Sequence, residues 1–136
     1  MSDILVDTSV WSVALRRRSK VSDTENIIRQ KLNSILEAGH ALIIGPIRQE
    51  LLSGIKDKSQ FKKLKTVLST FPELKIEKDH YDQAASIYNK CRARGIQGSN
   101  TDFLICSIAI SYDLPIYTID NDFKHFQKVE NFNLKN

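Results

Sequence analysis

Ile4-Leu5-Val6-Asp7-Thr8-Ser9-Val10-Trp11 reads as a strand handing over to a helix. Three successive apolar residues ending in an acid fit a short strand buried on both faces, as in parallel sheets. Thr8 and Ser9 then offer helix-starting side chains ahead of Val10-Trp11-Ser12-Val13-Ala14-Leu15. The alternation continues along the chain. A longer helix is expected from Asp23, with Ile27, Ile28, Leu32, Ile35 and Leu36 at helical spacing and Gly39 as its stop. Ala41 to Ile44 is a second strand. Gly45-Pro46 breaks it, and proline suits the first turn of a helix reaching about Ser53. Further helices are expected over residues 58–70, His80 to Ala93 and Thr101 to Tyr112, with a short helical turn from Asp120 to Phe126. Pro115-Ile116-Tyr117-Thr118 is a third clear strand, Leu74-Lys75-Ile76 a weak one, and Phe132-Asn133-Leu134 a last edge strand. Strands separated by helices imply an α/β fold with a parallel sheet and right-handed crossovers.

Composition narrows the class. A chain of 136 residues suits one domain, taken as 1–136, and 41% hydrophobic with 26% charged residues is ordinary for a folded one. No apolar run reaches the roughly 18 residues of a membrane span. The first residues lack the pattern of a secretory leader, and Cys91 and Cys106 have neither a disulfide-framework nor a zinc spacing. A reducing cytoplasm is the expected compartment. The net charge of +4 is uneven. Residues 1–70 carry 12 Lys+Arg against 7 Asp+Glu, and residues 71–136 carry 8 against 9. That balance is compatible with a polyanionic partner without requiring one.

In such sheets ligands bind beyond the carboxyl ends of the strands, and acids gather there. Asp7 ends the first strand, Asp120 follows the third, and Asp122 lies two residues on. Glu50 sits on the helix after the second strand, and Asp102 in the first turn of the most apolar helix. Each has an ordinary structural reading: helix caps for Asp7 and Asp102, turns for Asp120 and Asp122, a solvated helix face for Glu50. Periodicity adds weight to two. Asp102 shares a helix face with Ile105, Cys106 and Ala109, so its carboxylate calls for a cation or donors. Glu50 borders an apolar face, with Gly54 either leaving space beside it or simply ending the helix. Clustered carboxylates raise one another's pKa or recruit a cation, and oxygen-only donors favour Mg²⁺ or Mn²⁺. Such an ion can activate water and stabilise a phosphoryl transition state.

These segments together resemble a known family. The chain is similar to PIN-domain ribonucleases, and among them to the VapC toxins of type II toxin–antitoxin pairs. The resemblance is carried by Ile4 to Trp11, Pro46 to Gly54, Thr101 to Ala109 and Leu114 to Phe123, in that order and spacing. It implies a three-layer α/β/α fold around a parallel sheet of four to five strands. It implies that Asp7, Glu50, Asp102 and Asp120 hold Mg²⁺ or Mn²⁺, with Asp122 as the other candidate for the fourth position. Ser9 and Thr118 would orient a carboxylate or a water. The implied activity is metal-dependent endoribonuclease cleavage by water, on transfer, ribosomal or messenger RNA. The implied partners are RNA, a VapB-like antitoxin and a second copy of the chain in a homodimer.

Other residues read less specifically. Arg16-Arg17-Arg18 and Arg48 are candidate RNA contacts, with pairing to a site acid or to a partner's carboxylate as the alternative for Arg48. Trp11 reads as core or dimer-interface packing, with base stacking as the alternative. The cysteines read as small hydrophobes, and His40, His80 and His125 share no ligand spacing. Three rivals stand beside the toxin reading: a PIN-domain RNA-processing nuclease, a non-catalytic interaction module, and a receiver-like domain with an acidic pocket. The last fits poorly, since the first strand ends Asp7-Thr8-Ser9 and the second runs into Gly45-Pro46. A haloacid-type phosphatase is excluded because Ser9 stands where it needs a second aspartate.

Overall fold

A computed structural model describes residues 2–15 and 22–135. The elements run β1 (Ile4–Val6), α1 (Thr8–Leu15), α2 (Asp23–Glu37), β2 (Ala41–Leu42), α3 (Gly45–Leu52), α4 (Lys58–Leu68), α5 (Lys78–Ala93), α6 (Asn100–Tyr112), β3 (Ile116–Tyr117) and α7 (Asp122–Phe126). Both strand pairings are parallel, and the order is β2-β1-β3. Ile4, Leu5 and Val6 are all buried, as expected of a central strand flanked on both edges.

The sheet has three strands among the described residues, not the four to five expected. The two outer segments are reduced to single bridges, Ile43 with Glu73 and Ile116 with Leu134. At the first edge Ile43 accepts from Leu74 N–H at 2.9 Å, and the chain then leaves to start α5 at Lys78. At the second edge Ile116 N–H donates to Asn133 and Lys135 N–H donates to Ile116. Each visit is too short to extend the ladder, so strand-like sequence yields one rung instead of a strand.

Helix boundaries follow local chemistry. Ser22 caps α2 by accepting from Glu25 N–H, and Asp57 caps α4 by accepting from Gln60 N–H. Gly39 and Gly54 have φ of +73° and +86°, a region glycine enters without a Cβ penalty. Gly54 therefore ends α3, and the helix-stop reading holds. Gly98 has a different constraint. A Cβ there would lie 2.6 Å from Phe126 Cζ and 2.8 Å from Phe103 Cζ. Both rings are fully buried, with centroids 4.9 Å apart. The close approach of Gly98 to this pair locks the entry of α6 against α7.

Helix α6 is the spine. Phe103 to Ala109 are all buried, consistent with a helix apolar on every side. It packs on α5, while α1 packs on α2 and α3, and α3 on α4. Trp11 is core: it is 2% exposed and its ring lies 5.5 Å from Phe71. Its indole N–H has no acceptor among the described residues. Cys91 and Cys106 are free and buried, and burial pushes the Cys106 thiol up, so both pack as small hydrophobes. No helix among the described residues is long and apolar enough to cross a membrane.

Candidate active site

With β1 central and its neighbours reached by crossovers in opposite directions, the topology reverses beside the carboxyl end of β1. That is where α/β sheets open a crevice. Asp7 N–H donates to Tyr117 C=O at 2.9 Å, which holds the ends of β1 and β3 together. The side chains that follow both strands therefore meet.

Asp7 is 4% exposed, one of few buried charged groups. Its Oδ2 accepts from Ser9 Oγ and from Thr118 Oγ1, each at 2.7 Å. Each hydroxyl has one proton, and both are committed to Asp7. The hydroxyl oxygens in turn accept from the backbone: Ser9 from Ile119 N–H at 3.2 Å, Thr118 from Asp120 N–H at 3.0 Å. Two relays thus run from backbone N–H through hydroxyl to one carboxylate oxygen. They satisfy the burial demand of Asp7 and fix its orientation.

Asp102 enters from the first turn of α6. Ser99 and Asp102 form a reciprocal capping box: Asp102 N–H donates to Ser99 Oγ, and Asp102 Oδ2 accepts from Ser99 N–H, both at 3.1 Å. Burial raises the Asp102 carboxyl above its ordinary value. The Ser99 hydrogen bonds oppose that rise, and the charges of Asp7 and Asp120 add to it. Asp102 thus feels the two other acids through space. Asp120 is half-buried, and its Oδ1 accepts from Asp122 N–H at 2.9 Å. Asp122 itself is exposed in the first turn of α7.

Three of the expected acids, Asp7, Asp102 and Asp120, are brought together. Glu50 is exposed on α3 and is not among the charges acting on Asp102. Among the described residues no three acids are gathered tightly enough to form a preassembled metal cluster. The reason is visible in the partners: Asp7, Asp102 and Asp120 each hold an internal donor. The donor chemistry nonetheless fits a hard cation, since carboxylate and hydroxyl oxygens line the rim. Arg48 is engaged elsewhere, its Nε on Glu73 at 3.2 Å and its Nη2 on Ser69 at 3.4 Å. Arg48 therefore pairs with a carboxylate of this chain that is not one of the expected site acids. Arg16, Arg17 and Arg18 lie outside the described residues.

Sequence reasoning missed Ser99, although a serine three residues before an acid at a helix start is a capping-box signal. It also passed over Lys135, because nothing local says where a terminal segment will lie.

This rim on this topology defines the class. A model of the PIN domain matches residues 4–129, and the chain belongs to the PIN-domain family. Within it, the chain is 31% identical over 131 residues to ribonuclease VapC11 of Mycobacterium tuberculosis, with 94% of each covered. In fold it resembles the structure of VapBC2 from Rickettsia felis bound to a promoter DNA fragment. The TM-score is 0.72 and the identity 20%, covering 98% of this chain and 97% of that one. A toxin–antitoxin complex from Klebsiella pneumoniae matches with a TM-score of 0.66 at 20% identity, covering 89% and 90%. At such identities the structures speak for the fold alone.

Proposed function

We propose that this protein is a metal-dependent endoribonuclease, the toxin of a VapBC-type pair, working in the cytoplasm as a homodimer and restrained by a VapB-like antitoxin. The observation that carries the reading is the convergence of Asp7, Asp102 and Asp120 at the carboxyl ends of β1 and β3. Full-length similarity to a VapC ribonuclease supports the substrate class.

In this reading Asp7, Asp102 and Asp120 hold Mg²⁺ or Mn²⁺, with Glu50 completing the acidic set from α3. Asp120 is preferred to Asp122 because its charge reaches Asp102, whereas Asp122 is exposed. The bound ion supplies Lewis-acid activation of water and neutralises charge on the phosphate. Ser9 and Thr118 hold the Asp7 carboxylate in one orientation by donating to Oδ2. Asp102, which now accepts from Ser99 N–H, would be among the residues that hold the cation. Its burial and the charges of Asp7 and Asp120 suit it to that role, because a cation would relieve their repulsion.

A second reading, an interaction module without turnover, draws on the same Ser99–Asp102 contact, which gives the carboxylate a purely structural partner. One experiment separates the two. Purified protein is incubated with a small-RNA pool in Mg²⁺ or in EDTA, beside the Asp7→Asn variant. Discrete fragments that need Mg²⁺ and vanish in the variant are expected. Equal cleavage by a folded Asp7→Asn protein overturns the assignment, and no cleavage by the parent favours the module.

A further inference from the structure

A cavity of about 750 Å³ opens beside the acid rim, with Thr118 and Asp120 in its wall. One side is α7, which contributes Lys124 and Gln127. The other is the segment after the last bridge, which contributes Asn133, Leu134 and Lys135. Ile116 pairs with Leu134, so this segment is pinned along β3 and leads toward the same end of the sheet as Asp120.

The lining is mixed in a specific way. Lys124 and Lys135 are exposed and in no ion pair among the described residues. Asn121 and Asn133 offer amide groups that both donate and accept. Gln127 donates its Nε2 to Phe132 C=O at 2.9 Å, which fixes its side chain in the wall. Ile119 is 40% exposed, a large apolar side chain left uncovered next to the charged groups. Lys124 and Lys135 thus line one groove, and ammonium groups gathered in this way attract a polyanion, here up to the edge of the acid rim at Asp120.

We propose that this groove holds a single RNA strand flanking the cleavage site, with Lys124 and Lys135 on phosphates and Asn121 and Asn133 on base edges. The inference rests on the ribonuclease reading of the adjoining acids and adds the path of the substrate. A single strand fits better than a duplex. The groove pairs phosphate-binding cations with amides and an apolar face, and only unpaired bases can use all three.

The test measures binding apart from chemistry. Anisotropy of short fluorescein-labelled single-stranded RNAs is followed in EDTA across a KCl series. The parent is compared with the double variant Lys124→Gln/Lys135→Gln. A control pair, Lys75→Gln/Lys78→Gln, removes the same charge beyond the opposite, β2 edge of the sheet. The groove pair should weaken binding several-fold for every sequence. It should also flatten the log–log salt dependence by about 1.4, two contacts at roughly 0.7 each for a single strand. The control should leave the slope unchanged. Equal slopes for parent and groove pair overturn the proposal and leave the lysines to an acidic segment of a protein partner. Equal flattening by the control overturns it as a general charge effect, and a parent that binds no RNA overturns it outright. Equal losses on duplex and single-stranded RNA overturn the single-strand assignment. If the slopes differ as expected while the parent cleaves nothing in Mg²⁺, the nuclease reading fails and the groove stands. If the parent cleaves and the groove pair leaves KM unchanged, the groove fails alone.

Discussion

Two polar networks are set into this apolar protein, and they differ in charge. One surrounds His80 at the start of α5. Its Nδ1 accepts from Glu77 N–H at 2.8 Å, its Nε2 meets Ser111 Oγ at 2.9 Å, and Ser107 Oγ donates to its carbonyl at 2.8 Å. Each of these groups has a partner, and the Glu77 side chain closes the turn by accepting from His80 N–H. The other surrounds Asp7. It too is satisfied by hydrogen bonds, yet the charges of Asp7 and Asp120 both act on Asp102. The His80 cluster closes on itself and stabilises the α5–α6 contact. Among the described residues, no ion pair engages Asp7, Asp102 or Asp120, so the cluster keeps a surplus of negative charge there. Surplus of that kind marks a place where something from outside is expected.

The contrast can be broken at several points. The largest effect is expected at Asp7. Asp7→Asn keeps an oxygen to accept from Ser9 and Thr118, so the fold should survive. The cleavage rate should drop by roughly 10²–10³-fold, the scale of losing one preorganised electrostatic partner. Steady-state kinetics beside a circular-dichroism melt would check both halves. Next come the hydroxyls. Ser9→Ala or Thr118→Val should each lower activity or apparent Mg²⁺ affinity by about 10–100-fold, as for groups that orient a ligand. A Mg²⁺ titration of initial rates reads this directly, and unchanged half-saturation would make the relays merely structural.

His80→Ala should do the reverse. It strips partners from Glu77 N–H and Ser111, at a cost of about 1–3 kcal/mol in urea denaturation. Activity per folded molecule should stay at the parent level. A large loss of turnover in a folded His80→Ala protein would erase the distinction between the two networks.

The smallest effect is in pH dependence. The Asp102 carboxyl is raised in the folded protein, so the folded state keeps this proton to higher pH than the unfolded chain does. Stability from this group is therefore greatest at low pH and declines as pH rises from the ordinary carboxylate value through the raised one. Asp102→Asn removes that decline while its side-chain oxygen can still accept from Ser99. Denaturation at pH 4 and pH 7 should show the variant gaining on the parent as pH rises. A gain in the opposite direction would mean that the capping box outweighs burial and repulsion.

Much of this architecture is legible in the residues, because its signals are local. An apolar triplet makes β1, Gly45-Pro46 ends a strand and opens α3, and Gly39 and Gly54 stop their helices at positive φ. The near-continuous apolar run of α6 announces a buried spine. The meeting place of Asp7 and Asp120 was legible for a related reason: strand ends in α/β sheets are predictable places. The outer strands misread because pairing length is not a local property. The segments at Glu73 and Leu134 have strand-like neighbours, but each meets its partner for a single bridge before the chain turns or ends.

What sequence alone determined, then, is periodicity, punctuation and the kinds of oxygen donor at the strand ends. Only the tertiary structure decided which of them meet. It joined Thr118 to Asp7 across 111 positions, left Glu50 exposed, and turned Arg48 toward Glu73. It also laid Lys135 beside Asp120 in one cavity. These are outcomes of packing, since a long-range contact is set by how a whole helix or strand seats in the core, and no residue encodes that by itself.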